Sequence, residues 1–153
     1  MKDRRRKETV IRTTLFDAEK AEVFRMLQKL ETLQYVAAPY ARFIPVDKKQ
    51  VKWVEGSVFK FHFYLFGFIP LGIHTINVLY CCENLGIGTE EYNSHISVWN
   101  HRIYLESLGG KRTRYTDEVE IEAGRKTPIV ALWAKVFYSH RQRKWKKLLS
   151  TVD

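Results

Sequence analysis

The residues of this chain best suited to chemistry are His101 and Asp117, two polar side chains that face inward on neighbouring predicted strands. A histidine oriented by a carboxylate can act as a general base, and facing a bound carbonyl compound it would serve an aldol cyclisation or a dehydration. The alternative is a satisfied pair in the core, since a buried carboxylate is costly unless it is paired or hydrated. We predict both residues as candidate catalytic groups and keep the structural role open.

Their proximity depends on the register of one predicted β-hairpin. A two-residue loop would place apolar and acidic residues on one face, whereas a three-residue loop over 109–111, which contains two glycines, brings the apolar faces together. In that register His101 and Asp117 are diagonal neighbours, and Arg102 lies opposite Glu118 on the outer face. We therefore predict the three-residue loop.

The other candidate groups have weaker support. His62 and His74 flank a predicted turn over 67–72 and would lie opposite one another, but no third ligand has a fixed spacing, so we expect them to be exposed to solvent. The adjacent Cys81 and Cys82 point to opposite faces of a strand and are expected to be reduced thiols. Phosphate-binding glycine loops, paired Cys-x-x-Cys motifs and hydrolase motifs are absent. We predict no metal and no cofactor.

Hydrophobic periodicity predicts a strand, two short helices, six further strands and a long C-terminal helix. Asp17 is the expected N-cap of the first helix, and Pro39 ends the second. Thr127 is the expected N-cap of the last helix. The connections between the last strands are short, which makes neighbours antiparallel. The predicted strands cover 9–15, 43–46, 57–66, 73–82, 87–92, 96–107 and 112–123, and the predicted helices cover 18–30, 31–37 and 127–149.

The charge of the chain is concentrated at its ends. The 153 residues carry a formal net charge of +9, and residues 2–7 and 141–147 account for all of it. The body is close to neutral, unlike a nucleic-acid domain with a basic face, so nucleic acid is an unlikely partner. A peripheral module that binds anionic membrane or nucleic acid through these termini remains a second alternative. We predict a basic tail over 1–8 and a single domain over 9–150.

A membrane span is not predicted. The 22 residues 61–82 contain no Asp, Glu, Lys or Arg, but Gly67, Pro70 and Gly72 interrupt them and the composition suits a hairpin. The N-terminus lacks the apolar region of a secretory signal, and a cytoplasmic location is the resulting expectation.

Four short stretches resemble the START-like (SRPBCC) superfamily, which includes the birch pollen allergen, lipid-transfer domains and polyketide cyclases. They are Trp53-Val54-Glu55-Gly56, Trp99-Asn100-His101, Thr116-Asp117-Glu118-Val119 and Phe137-Tyr138-Ser139-His140-Arg141. These stretches are similar to those of bacterial cyclase and dehydrase-like members. The resemblance implies an α+β helix-grip fold, in which a seven-stranded antiparallel sheet wraps around a long C-terminal helix, with two short helices after the first strand.

The resemblance also implies a cavity between sheet and helix that holds a small hydrophobic or amphipathic molecule, lipid-like or polyketide-like. Binding is the first predicted function, and a cyclase or dehydratase acting on a carbonyl compound through His101 and Asp117 is the alternative. On the last helix, Arg141 or His140 would meet an anionic group of the ligand. The predicted cavity residues are Phe59, Phe61, Phe63, Glu91, Trp99, Ile103, Tyr115, Val119, Trp133, Phe137, His140 and Arg141.

Overall fold

In the part of the chain that the structure describes, seven antiparallel strands form one sheet, and a long C-terminal helix packs against it. The computed structural model describes residues 7–47 and 52–151. Neighbouring strands follow the order β1-β7-β6-β5-β4-β3-β2, which confirms the predicted fold class. The elements are β1 (Glu8–Phe16), α1 (Lys20–Leu27), α2 (Leu30–Ala37), β2 (Ala41–Pro45), β3 (Val58–Leu65), β4 (Ile69–Cys82), β5 (Gly86–Tyr92), β6 (Val98–Gly109), β7 (Arg112–Glu122) and α3 (Thr127–Ser150). Residues 1–6 of the predicted basic tail lie outside the described residues, and Glu8 already belongs to β1.

The helix α3 buries one face against β1, β7 and α2. Its buried residues recur three or four positions apart, which is the spacing of one helical face. A 3-10 turn, Gly124–Lys126, leads into α3, and Thr127 is its first residue and not its N-cap as predicted. The Thr127 hydroxyl donates to the Gly124 carbonyl and accepts from the Ala123 amide, so it stabilises the entry turn.

The core consists of two clusters of buried apolar side chains. The first cluster is built around Phe61, Phe63 and Trp99, together with the N-terminal half of α3. The second cluster is built around Tyr115 and Trp145 and includes α1. The sheet supplies both clusters, because alternate residues of each strand point to the same face.

The first helix is shorter than predicted. It begins at Lys20 after the extended Glu19, whose carbonyl accepts the amides of Glu22 and Val23. Asp17 is therefore not its N-cap; its carboxylate oxygen lies 3.7 Å from the Arg112 guanidinium nitrogen at the surface. The prediction was wrong because the backbone stays extended as far as Glu19, so the first helical residue lies three positions after Asp17.

At His74 the pairing of β3 with β4 is shifted by one residue from the predicted register, and this shift changes the face of the sheet on which His74 lies. The strand β4 begins at Ile69, and the pairing shifts between His62 and Tyr64, near Gly72 with its φ of 85°. The pairing next to the turn would place His74 opposite Lys60, and the irregularity moves it opposite Phe61, whereas the predicted partner was His62. A shift of one residue exchanges the two faces of a strand. His74 is therefore buried, whereas His62 is exposed.

The predicted register of the β6–β7 hairpin is confirmed. Ile103 lies opposite Asp117, and Arg102 lies opposite Glu118. The loop differs from the predicted three-residue connection, because Gly109 pairs with Arg112 and the register shifts between Ser107 and Gly109. Gly110 and Lys111 connect the two strands, and both have positive φ, as Gly109 does. His101 and Asp117 consequently share the inner face of the sheet.

A glycine at the start of β5 has no room for a side chain. Gly86 has φ of 87°, and a Cβ there would overlap the carbonyl oxygen of Ile103 on β6. Gly67 has φ of 83°, but no atom lies within 4 Å of the position that a Cβ would occupy there. We expect Gly67→Ala to cost about 1 to 2 kcal/mol of unfolding free energy from backbone strain alone. Gly86→Ala should cost at least about twice that amount, measured by urea denaturation. Equal losses in the two variants would contradict the close approach of β5 and β6.

Candidate functional site

A cavity of about 80 Å³ lies between the sheet and α3, at the boundary of the two core clusters. Its wall is mainly apolar and contains Phe63, Trp99 and Phe137 from the first cluster and Ile103 and Trp145 from the second. A row of polar residues also faces it. These are His74, Thr89, Glu91, His101 and Arg141. The polar row crosses neighbouring strands β4, β5 and β6 and ends on α3.

His101 and Asp117 form the predicted pair. The His101 Nε2 and Asp117 Oδ1 atoms are 2.8 Å apart, and both side chains are buried. Because an ionised carboxylate is only an acceptor, Nε2 carries the proton and donates it. No described residue makes a hydrogen bond to the other ring nitrogen, Nδ1. His101 therefore retains one nitrogen that can accept a proton or a hydrogen bond.

The Asp117 carboxylate accepts two further hydrogen bonds. The Tyr115 hydroxyl donates to Oδ1 at 3.1 Å, and the Gln142 amide donates to Oδ2 at 3.1 Å. The same Gln142 nitrogen donates to the carbonyl of Arg12 on β1 at 2.8 Å. Asp117 thus connects β6, β7, α3 and, through Gln142, β1.

These contacts keep Asp117 ionised. Burial opposes ionisation, but the hydrogen bond from His101 and the positive charge of Arg141 outweigh it and hold the pKa of Asp117 below its ordinary value. Burial and the neighbouring Asp117 charge raise the pKa of Tyr115. Tyr115 therefore remains a protonated donor.

A second histidine–carboxylate pair, His74 and Glu91, repeats the geometry of the first. The His74 Nε2 and Glu91 Oε1 atoms are 2.8 Å apart, and the Thr89 hydroxyl donates to Oε2 at 2.6 Å. In each pair the residue two positions after the histidine, Ile76 or Ile103, lies directly opposite the carboxylate residue. Both pairs are therefore diagonal neighbours on antiparallel strands.

The surroundings of His74 fix the position of its proton. Asn93 Oδ1 accepts the backbone amides of His95 and Ile96 at 2.8 and 2.9 Å. Its Nδ2 must then face His74, where it lies 3.0 Å from Nδ1. Because Nδ2 is a donor, Nδ1 is an acceptor, and the single proton of the ring is on Nε2. Both nitrogens of His74 are occupied, unlike those of His101.

Glu91 is also ionised. Burial raises its pKa, but the hydrogen bonds from His74 and Thr89 hold it below its ordinary value. Glu91 faces inward, whereas its neighbour Glu90 is exposed.

Arg141 brings a positive charge to the cavity from α3. Only 7% of it is exposed, and its guanidinium carbon lies 5.7 Å above the centre of the Tyr138 ring. Burial lowers the pKa of Arg141, but Tyr115 and Asp117 raise it by more, so the guanidinium stays charged. Its Nε is buried and has no hydrogen-bond partner in the described part of the chain.

Comparison with known proteins places the chain in a family. The model of a family described as a domain of unknown function, DUF8410, matches residues 14–149. The chain belongs to the DUF8410 family. No curated protein matches it.

Solved structures similar to this DUF8410 domain share its fold at low sequence identity. A START superfamily protein from Mycobacterium smegmatis is 15% identical, with a TM-score of 0.73 over 95% of this chain and 99% of that chain. The Zhui aromatase/cyclase from Streptomyces sp. R1128 is 14% identical, with a TM-score of 0.64 over 94% of this chain and 92% of that chain. The predicted START-like helix-grip fold is thereby confirmed.

Eight of the predicted site residues line the cavity of this domain, whereas Asp117 lies behind His101 and reaches the cavity through it. Their functional roles stay predictions. The eight are Phe63, Glu91, Trp99, His101, Ile103, Trp133, Phe137 and Arg141.

Five predicted cavity residues lie elsewhere, for identifiable reasons. Phe59 packs on Trp53, and Phe61 and Val119 fill the first cluster. The Tyr115 hydroxyl donates to Asp117, and the Tyr115 ring packs in the second cluster. His140 faces α2 and β2: its Nε2 is 2.7 Å from the Ala38 carbonyl oxygen, and its ring contacts Tyr40.

Sequence reasoning missed His74, Thr89, Tyr138 and Trp145 as cavity residues. A signal for His74 was present, because His74-Thr75-Ile76 and His101-Arg102-Ile103 share the pattern His-x-Ile. Tyr138 accepts a hydrogen bond from the Trp99 indole at 3.2 Å. Its position on α3, one residue from Phe137, had no distinguishing signal.

The structure also describes the other features considered in the sequence: a membrane span, a metal site, the cysteines and the C-terminal basic cluster. Within the described ranges no helix is both long and apolar enough to cross a bilayer, and no group of three or more His, Cys, Asp or Glu could hold a metal ion. Cys81 is half-buried and Cys82 is exposed, and both are free thiols. Arg141, counted with the C-terminal basic cluster, is buried and does not contribute to a basic surface.

We expect Asp117→Asn to lower the unfolding free energy by roughly 3 kcal/mol at pH 7, because it leaves Arg141 without its compensating charge. A carboxylate whose pKa is lowered by folding stabilises the folded state at pH values above its ordinary pKa, about 3.9 for Asp. That stabilisation is lost as the pH falls through the lowered pKa. The difference in unfolding free energy between Asp117→Asn and the native chain should therefore shrink below about pH 4. Urea denaturation at several pH values measures it. Glu106→Gln, which breaks an exposed pair with Arg114, is the control and should cost less than about 1 kcal/mol. A penalty that does not change with pH would contradict the ionised state of Asp117.

Proposed function

We propose that this protein binds a small hydrophobic or amphipathic molecule in the cavity between the sheet and α3. The observation that carries the proposal is the cavity itself, which lies at the boundary of two separate core clusters. A chain of this length can pack its core without voids. A space lined by aromatic rings with a few polar groups has the composition of a ligand site.

The arrangement of the polar groups supports binding over simple core packing. His74, Glu91, Thr89 and His101 meet on adjacent strands, and Arg141 faces the same space from α3. Burying so many polar and charged side chains is costly unless they have a use or are fully paired. The similarity to START-like structures agrees with this assignment at the level of the fold.

A substitution that fills the cavity tests the proposal. Val36 is fully buried and lines the cavity, and Val58 is exposed on β3. We expect Val36→Phe to weaken binding of 2-naphthol at least about tenfold, whereas Val58→Phe should have no effect. The measurement is tryptophan fluorescence titration, accompanied by native mass spectrometry of freshly purified protein to detect a retained small molecule.

If Val36→Phe does not fold, Leu33→Phe at a half-buried position of the cavity wall replaces it. Unchanged 2-naphthol affinity in a folded cavity variant would contradict the proposed site.

The second candidate function is that of a cyclase or dehydratase acting through His101 and Asp117. It is favoured by one difference between the histidines: His74 has both nitrogens occupied, whereas His101 Nδ1 has no partner among the described residues. A base needs such a nitrogen within reach of the substrate. Asp117 would stabilise the imidazolium formed when Nδ1 takes a proton.

In a dehydration, Nδ1 of His101 would take the proton α to a carbonyl of a β-hydroxy ketone. The electron pair of the broken C–H bond would form the new double bond, while the bond to the β-hydroxyl group breaks. The imidazolium would return its proton to the departing hydroxide, and water would leave. The step needs no oxidant or reductant.

His101→Ala separates the two candidates. An enzyme of this kind should lose turnover of a β-hydroxy ketone by at least about a hundredfold, with ligand affinity nearly unchanged. A binding protein should show changed affinity or no effect. His62→Ala, at an exposed position of β3, is the control. Absence of any turnover in the native chain, measured by formation of the conjugated ketone at its ultraviolet absorption, would remove the enzyme alternative.

A further inference from the structure

Four nitrogen atoms around the cavity lack hydrogen-bond partners. Among residues 7–47 and 52–151, the buried side-chain nitrogen and oxygen atoms without a partner are Trp53 Nε1, Trp133 Nε1, Trp145 Nε1 and Arg141 Nε. All four are donors, and all four side chains line the cavity. Leaving a buried donor unpaired costs about 1 to 3 kcal/mol, so such atoms are rare in folded proteins. Their collection around one space points to an acceptor within it.

The acceptors around the same space are, by contrast, largely satisfied. Both carboxylate oxygens of Glu91 accept hydrogen bonds, from His74 and Thr89. The Tyr138 oxygen accepts from the Trp99 indole. His101 Nδ1 is an acceptor without a partner among the described residues, and the Thr32 hydroxyl at the cavity wall can both donate and accept. Because the fully buried unpaired atoms are all donors, a complementary ligand carries an acceptor.

The charges of the site argue for an uncharged ligand. Glu91 and Asp117 are both ionised, and Arg141 is the one guanidinium among the residues that line the described cavity. An anionic ligand would bring a third negative charge into a buried region with a single fixed positive charge. The sequence-based expectation that Arg141 meets an anionic group is therefore replaced by contact with a neutral oxygen. The cavity volume of about 80 Å³ favours a compact molecule over a long-chain lipid.

We propose that the cavity selects a compact, uncharged aromatic ketone whose carbonyl oxygen accepts a hydrogen bond from one or more of the unpaired donors on Trp53, Trp133, Trp145 and Arg141. This inference rests on the proposed binding function and assigns its ligand class. The aromatic rings of the wall, among them Phe63 and Phe137, contact the ring of the ligand.

Four probes of similar size test the assignment. Ethylbenzene has no polar group, acetophenone has only acceptors, N-methylaniline presents an N–H donor, and benzoate is an anion. Titration of each into the ¹⁵N-labelled protein, followed through the tryptophan indole N–H signals, gives both affinity and hydrogen bonding. We expect acetophenone to bind at least about fivefold more tightly than ethylbenzene, as one net hydrogen bond provides. Benzoate should bind most weakly.

Tryptophan-to-phenylalanine variants locate the contact and control for shape. The indole signal of Trp53, Trp133 or Trp145 that acetophenone shifts to higher proton frequency identifies the donor. Replacing that residue by phenylalanine should bring the acetophenone-to-ethylbenzene affinity ratio close to one. In Trp99→Phe both affinities should change together and the ratio should persist, because the lost N–H was already paired with Tyr138. If none of the three indoles shifts, Arg141→Gln should abolish the ratio, with exposed Arg143→Gln as control. The spectrum of each variant also reports whether it is folded.

The outcomes distinguish this inference from the function on which it rests. Equal binding of acetophenone and ethylbenzene, or tighter binding of N-methylaniline or benzoate, would overturn the ligand class and leave cavity binding intact. An acetophenone-to-ethylbenzene affinity ratio that stays unchanged in every donor variant would overturn the assignment of these four groups as donors to the ligand. Absence of binding by all four probes would overturn the binding function and the inference together.

Discussion

The buried carboxylate of Asp117 joins the elements that enclose the cavity. It accepts hydrogen bonds from His101 on β6, Tyr115 on β7 and Gln142 on α3, and the same Gln142 nitrogen reaches the Arg12 carbonyl on β1. A buried negative charge is tolerated only where donors surround it, so its presence requires sheet and helix to keep these relative positions. The orientation of His101 and the charge environment of Arg141 both follow from this one group.

A row of polar side chains also explains why the core is divided. Apolar residues of the sheet and α3 would pack as one cluster if nothing interrupted them. Here His74, Thr89, Glu91 and His101 face inward at the boundary of the two clusters. The polar groups bond to one another, which removes most of their own cost, but the donors of three indoles and of Arg141 are left unpaired. The cavity is therefore lined both by a polar row that is largely paired within itself and by donors that are not paired.

Much of this arrangement can be predicted from the sequence where patterns are local or periodic. The β6–β7 register follows from matching apolar faces, and that match alone is enough to bring His101 and Asp117 together. The position of His74 could not be predicted, because it depends on an irregularity near Gly72 that a simple hairpin does not contain. Asp17 was assigned to a cap from its residue type, but the backbone stays extended as far as Glu19, which residue type alone does not predict. Unpaired donors depend on the final packing of every neighbour, which residue spacing does not encode.

The two histidine–carboxylate pairs differ in a way that bears on their use. Both are diagonal pairs on the inner face, yet Asn93 occupies the second nitrogen of His74, whereas no described residue occupies that of His101. Asn93 is itself fixed by two backbone amides of its own loop, so the proton position on His74 follows from the fold of that loop. His74 therefore holds Glu91 in place and has no nitrogen left for a ligand. Any proton transfer or ligand hydrogen bond to a cavity histidine falls to His101, whose orientation is set by Asp117.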